Sequence, residues 1–233
     1  MHKLFNAKNL VRFVFLTFLV SIVYISIRIL LAPTLAPAGD SAVRVKSDYV
    51  LMFLQCALGL AAMLLPGILK RSFRLDIPSF MLIVYAIFLY CAIYLGEVQN
   101  FYHTVPHWDK MLHVCSGAAL GALGFSLVSL LNRSASIRLS LSPLFVALFA
   151  FFFAVSLGVI WELYEFATDS LLHTNMQKFL LQNGEALIGQ AALMDTMLDL
   201  LVDVAGALVV SVIGYFSLKR NKGWLERFQL RAQ

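Results

Sequence analysis

Residues 195–217 read DTMLDLLVDVAGALVVSVIGYFS, and the fold turns on how that run is understood. The apolar residues continue for the ~20 positions a membrane-crossing helix needs. Yet Asp195, Asp199 and Asp203 recur at i, i+4 and i+8, which stacks three carboxylates on one face of the helix. At 1.5 Å per residue, Asp203 lies ~12 Å below Asp195, well inside the bilayer. The segment is therefore a spanning helix with an acidic stripe, and the rest of the chain must supply the company that stripe needs.

Five further apolar stretches surround it. The spans are expected near residues 10–32, 49–69, 78–98, 109–131, 142–168 and 195–217. Pro33, Pro78 and Pro143 stand at or just outside span ends, where a missing N–H costs least. Hydrophobic residues make up 61% of the chain and charged residues 13%, against ~25% charged in soluble proteins. The mean hydropathy is +0.83. A soluble fold of this length has too little interior for so much apolar surface, so the bilayer serves as solvent. The expected fold class is all-α: a polytopic helical bundle with six transmembrane helices, forming a single integral-membrane domain over residues 1–233.

Charge fixes the orientation. With the N-terminus in the cytoplasm, the inner segments hold thirteen of the 18 basic residues, including Lys70, Arg71 and Arg74 after span two. Arg28, Arg44, Lys46, Lys110 and Lys178 remain outside, while of the acids only Asp76 and Glu226 lie inside. This is the positive-inside pattern, giving both termini in the cytoplasm of a bacterial plasma (inner) membrane. The net charge of +5 is thus a topology signal, and nucleic acid is excluded as a partner. Basic residues, an apolar run and Ala36-Pro37-Ala38 loosely mimic a signal peptide; the length of the run and Pro37 favour a retained span. Cys56, Cys91 and Cys115 lie in apolar runs without CxxC spacing and read as packing residues.

Three acidic sets open toward the outer side. Span four begins HWDKMLHVCSG (residues 107–117), with Asp109 and His113 one turn apart. Span five ends WELYEFATD (residues 161–169), with Glu162, Glu165 and Asp169 on one face. Span six supplies Asp195, Asp199 and Asp203. A charge at the centre of a membrane helix costs ~3 kcal/mol. Seven such carboxylates facing lipid would rival the ~5–15 kcal/mol net stability of a protein. They must line a wet cavity, carry protons or be neutralised by a cation, and the cavity with a bound cation is the reading adopted.

Plainer roles stand beside the functional ones. Asp109 and Asp195 fall where a carboxylate caps a helix start. The deeper acids could be paired structurally with Lys110 or Arg28. His113 could be a hydrogen-bonded core histidine, a ligand or a proton carrier. His103, His107 and His173 are interfacial. Gly117, Gly121, Gly124, Gly206 and Ala207 form small faces suited to close helix packing. The loop from Ser170 to Met194 is expected to form an interfacial helix or a lid.

These residues also carry a resemblance. HWDKMLHVCSG, WELYEFATD with the following NMQ, and DTMLDLLVDVAGA resemble the YjdF-like bacterial membrane proteins, over His107 to Ala207; more distantly, DK..H with a later acidic helix is similar to the VanZ-like proteins. The resemblance implies an inner-membrane location and no particular reaction.

The chemistry of the cluster supports three functions. The first is a metal-dependent hydrolase or transferase acting on a lipid or lipid-linked envelope substrate. Its divalent ion (Mg²⁺, Mn²⁺ or Zn²⁺) would be held by His113, Glu162, Glu165, Asp199 and Asp203, with Asp109 and Asp195 orienting it or moving protons. The second is a non-catalytic accessory protein binding a cation or a basic headgroup. The third, a proton or cation transporter, fits less well because every deep acid is confined to the outer side. The sequence carries no ATP-binding loop, serine elbow or haem motif.

Overall fold

A computed structural model of the chain describes residues 6–34, 43–132, 141–181, 184–220 and 231–232. The Ala36–Ala38 motif and the basic residues at 133, 138, 222 and 227 lie outside these residues. Six long apolar helices dominate what is described, as the hydropathy requires: α1 (Ala7–Leu31), α2 (Lys46–Phe73), α3 (Ser79–Leu89, continuing as a π-helical stretch Tyr90–Val98), a short α4 (Phe101–Thr104), α5 (Trp108–Asn132), α6 (Pro143–Leu172) and α7 (Gln190–Lys219). All but the four-residue α4 are long and apolar enough to cross a membrane, counting α3 with its π-helical continuation as one, so the protein is a multi-pass helical membrane bundle. Leu75–Asp76 pairs antiparallel with Arg231–Ala232 across the end opposite the acids, and an isolated antiparallel bridge joins Leu180 to Ala186.

Local signals set the helix ends. Asn6 caps α1 by accepting from Lys8 N at 3.2 Å. Ser142 accepts from Phe145 N at 3.2 Å, and Pro143 fills the first helical position of α6, where no N–H is needed. His173 adopts a left-handed backbone (φ 54°) and closes α6 by donating its N–H to Asp169 O.

Three boundaries move by four residues or more. Span two runs on to Phe73, span five runs on to Leu172 and span six begins at Gln190, not near 69, 168 and 195. Polar residues at a helix end look like a loop in a hydropathy profile; here Glu162, Glu165, Thr168 and Asp169 are buried against other helices, so the helix continues through them. The described residues of 173–189 contain no helix. They form a turn stabilised by Leu181 N to Glu185 O and Leu187 N to Phe179 O, both 2.9 Å. The expected interfacial helix is absent from the described part of this connection.

The helices sort into two groups of three. In the first, α1 packs on α2 and α3 around Val14, Phe18, Ile25, Met52 and Cys56. In the second, α5, α6 and α7 pack mutually around Phe125, Val128, Val146 and Ala150. The groups meet where α5 touches the π-helical stretch, and Trp108 Nε1–H donates to Cys91 O there at 3.3 Å. All three acidic sets belong to the second group.

Within that group the register follows from small residues. α5 and α7 both start at the acidic end, so they run parallel, whereas α6 ends there and runs antiparallel to both. Gly117 lies against the Asp203 backbone and Gly206 against Val114 and Ala118, while Gly158 of α6 faces the Asp203 carboxylate. Stepping one turn outward from Asp203 brings His113 of α5 and Glu162 of α6 toward Asp199. The next turn brings Lys110 to Asp195. Glycine contacts thus deliver the charges to one another.

Candidate functional site

His113 is the pivot of the cluster. Its Nδ1 lies 3.2 Å from Asp203 Oδ2, and the other Asp203 oxygen accepts the Ser116 hydroxyl at 2.9 Å. Were Nδ1 alone to carry a proton, toward Asp203, Nε2 would offer a lone pair. That nitrogen points between two carboxylates, 3.9 Å from Asp109 Oδ1 and 3.8 Å from Asp199 Oδ1. Both separations are too long for hydrogen bonds.

The outer oxygens of the same two acids are taken by lysines. Lys110 Nζ contacts Asp195 Oδ1, Asp199 Oδ2 at 2.8 Å and Asp109 Oδ2 at 3.3 Å. Lys178, from the connection between α6 and α7, pairs with Asp109 Oδ2, reaches Asp195 Oδ2 at 3.4 Å and lies over the Tyr102 ring. Burial disfavours the Lys178 ammonium, but Asp109 and Asp195 outweigh it and hold the group above the usual lysine range. It stays charged through neutral pH.

Asp109, His113 and Asp199 therefore each turn one ligand-type atom inward, and these three atoms lie within 4.8 Å of one another. Ligands about 2.1 Å from a common ion sit roughly 3.0–3.4 Å apart, so the two histidine–carboxylate separations must close by about half an ångström and the carboxylate pair by up to about 1.4 Å for one ion to touch all three. Asp199 is 1% exposed, and its Oδ1 has no hydrogen-bond partner. Glu162 is buried as well and lies beside the Thr196 side chain. Glu165 is buried and accepts from Trp161 Nε1–H at 3.0 Å.

The sequence-derived residues Asp109, His113, Glu162, Glu165, Asp195, Asp199 and Asp203 are thus gathered at one end of the α5–α6–α7 group. The capping alternative for Asp195 fails: α7 starts at Gln190, and the Asp195 carboxylate holds Lys110 and Lys178. Arg28 is no partner of the acids, since its guanidinium donates to Tyr49 Oη at 2.8 and 3.0 Å. Lys178 and Ser116 escaped the sequence reading. The available signal was position: Ser116 is one turn from His113, and Lys178 follows directly on NMQ in the link between the two acidic helices.

Asp169 has a different task. Its carboxylate accepts from the Thr174 hydroxyl (2.6 Å), Met176 N (2.8 Å) and Gln177 N (2.9 Å), and Gln177 Nε2–H donates to Thr196 Oγ1 (2.9 Å). These bonds fix the turn that presents Lys178, which itself has a left-handed backbone (φ 50°). Asp169→Ala is expected to remove three bonds worth about 1 kcal/mol or more each. Amide exchange over residues 174–178 should accelerate at least roughly tenfold, since about 1.4 kcal/mol of local opening energy is one decade. Unchanged exchange would remove Asp169 from this role.

Comparison with known proteins agrees with the membrane architecture. The family of predicted membrane proteins designated DUF2238 matches residues 10–220. An uncharacterized protein of Thermotoga maritima is 30% identical over 122 residues, 52% of this chain. The match covers 54% of that relative, so the chain spans about half the length of the curated relative it matches. No solved structure matches the chain.

Proposed function

The chain belongs to the DUF2238 family of predicted membrane proteins, and on that footing we propose that it is a metal-dependent hydrolase or transferase of a bacterial plasma membrane, acting on a lipid or lipid-linked envelope substrate from the outer leaflet. The YjdF-like likeness of residues 107–207 falls within the matched region. One observation carries the proposal: Asp109, His113 and Asp199 turn ligand atoms toward a common point while their other polar atoms are already engaged. A site braced in this way is preorganised for a divalent ion.

We assign Asp109 Oδ1, His113 Nε2 and Asp199 Oδ1 as ligands. Asp203 then orients His113, Lys110 and Lys178 steady the carboxylates, and Asp195 anchors both lysines. One nitrogen with carboxylate oxygens suits Mn²⁺ or Zn²⁺, and Mg²⁺ less well. When bound, the ion would activate water and offset charge on a phosphate or ester oxygen. The substrate class follows from position. The cluster sits at the ends of helices whose outer faces carry lipid-exposed apolar residues such as Leu198, Leu163 and Met111, so an amphipathic molecule reaches it at the headgroup level.

A second reading is a non-catalytic accessory protein that binds a cation. Its support is the closure of the cluster by Lys178, which leaves Asp109 and Asp195 only partly exposed. Elemental analysis of purified protein tests the shared premise. Wild type is expected to hold at least one divalent ion per chain, and Asp199→Asn to lose the ion bound by the triad while remaining folded. Equal content in the two would sink the ligand set. Metal-dependent turnover of lipid phosphate esters in mixed micelles, abolished by a chelator, separates the enzyme from the accessory protein.

A further inference from the structure

We infer that the turn at residues 174–178 is a movable strap over the site, with Lys178 as its bolt: cations enter and leave when Lys178 lifts, and are enclosed when it seats. The inference rests on the proposed triad and adds a route and a control to it. Access is the starting point. The inward atoms belong to residues shielded from solvent, His113 being 7% exposed and Asp199 1%. The Asp109 and Asp195 side chains, at the mouth, are 17% and 16% exposed with Lys178 seated on both. A divalent ion carries a water shell that this closed mouth does not admit, so part of the wall must move.

The helices are the wrong part. Gly117 and Gly206 place α5 and α7 backbone to backbone, and Gly158 sets α6 against the Asp203 carboxylate, so parting them dismantles the cluster itself. The connection between α6 and α7 is held differently. Thr174, Met176 and Gln177 hang from a single carboxylate, that of Asp169, and Gln177 Nε2–H reaches Thr196 Oγ1 at 2.9 Å. Lys178 follows with a left-handed backbone (φ 50°), which costs a residue with a Cβ and is kept only while neighbouring contacts impose it. Segments held by few tertiary contacts open at lower free energy than the packed helices around them.

The seat of Lys178 is built from three helices. Its Nζ pairs with Asp109 Oδ2 of α5, lies 3.4 Å from Asp195 Oδ2 of α7 and stands 5.6 Å from the centroid of the Tyr102 ring of α4. That ring rests on Gly96 of the π-helical stretch, where a Cβ would stand 2.5 Å from it, so the first helix group supplies the far side of the seat. Two carboxylates and an aromatic face hold an ammonium firmly. They hold it from the solvent side, since the Lys178 side chain is 26% exposed against 19% for Lys110. A short outward swing returns the ammonium to water while its stem stays on the protein. Lys110, rooted in α5 and bonded to Asp199 at 2.8 Å, stays behind.

The test is the rate of Mn²⁺ uptake by full-length protein in detergent, timed by loss of the free-ion electron paramagnetic resonance signal after mixing. Asp169→Ala keeps the charge at position 178 and unties the turn; Lys178→Met keeps the turn and removes the bolt. Each is expected to speed uptake about tenfold over wild type, the change that one decade of easier opening gives. Asp169→Ala should bind as many Mn²⁺ per chain as wild type. Gln177→Ala, which frees the turn from Thr196, takes the place of Asp169→Ala if that variant misfolds. Equal rates in wild type and both variants overturn the strap and leave the triad standing. Faster uptake in Lys178→Met alone also overturns it, because relief of charge repulsion then suffices. So does faster uptake in Asp169→Ala alone, because Lys178 is then no bolt. No Mn²⁺ in folded wild type or in either variant ends both this inference and the reading it rests on.

Discussion

Substituting glutamine for His113 is expected to abolish divalent-cation binding at the triad, and asparagine for Asp203 to weaken it by roughly 10- to 100-fold, the usual effect of losing a group that orients a metal-binding histidine. The two effects differ because the two residues touch different atoms. His113 supplies Nε2, the one nitrogen that points between Asp109 and Asp199. Asp203 touches Nδ1 at 3.2 Å and holds the ring orientation. An amide at position 203 can still contact Ser116 and His113, but it no longer polarises the ring. Titration with Mn²⁺ measures both effects. Equal affinities in wild type and Asp203→Asn would detach Asp203 from the site.

Replacing Gly117 or Gly206 by alanine is expected to cost about 2–3 kcal/mol of stability, at the upper end for overpacking a helix interface. A Cβ on Gly117 would stand 2.4 Å from Asp203 O, and one on Gly206 would stand 2.3 Å from Val114 O. Both obstacles are backbone atoms, so no side chain can rotate away and the helices must part. Separation of α5 from α7 also lengthens the contact between His113 and Asp203, so cation affinity should fall with stability. Gly67→Ala is the control: nothing lies within 4 Å of its Cβ, and alanine is the better helix former. Unfolding in detergent should show the two interface variants destabilised and the control unchanged or slightly more stable. Three equal transitions would remove the close helix contact from the account.

Much of this arrangement was legible in the sequence. The six spans follow from hydropathy, and the i, i+4 spacing of Asp195, Asp199 and Asp203 puts them on one face whatever the fold. The small residues of HVCSGAALGALG and VDVAGA mark the faces that meet. Register was not legible, because it depends on which glycine lies against which backbone. Without it, the sequence could not place Asp203 beside His113 Nδ1, nor Asp109 beside Lys178. Lys178 was out of reach for a related reason: its reach into the cluster depends on Asp169 folding the turn at residues 174–177, a long-range consequence of a carboxylate that helical spacing alone groups with Glu162 and Glu165. The start of α7 was missed because Gln190–Met194 precedes the first aspartate and reads as loop, although those residues are sound helix formers.

In the proposed site one histidine nitrogen and carboxylates from α5 and α7 hold a shared cation. Electron spin echo envelope modulation of Mn²⁺ bound to the purified protein addresses it most directly, because the method registers a directly coordinated imidazole nitrogen. Modulation from a single imidazole nitrogen is expected in wild type and its loss in His113→Gln. Tightly bound Mn²⁺ with no nitrogen modulation, or modulation that survives in His113→Gln, would contradict it.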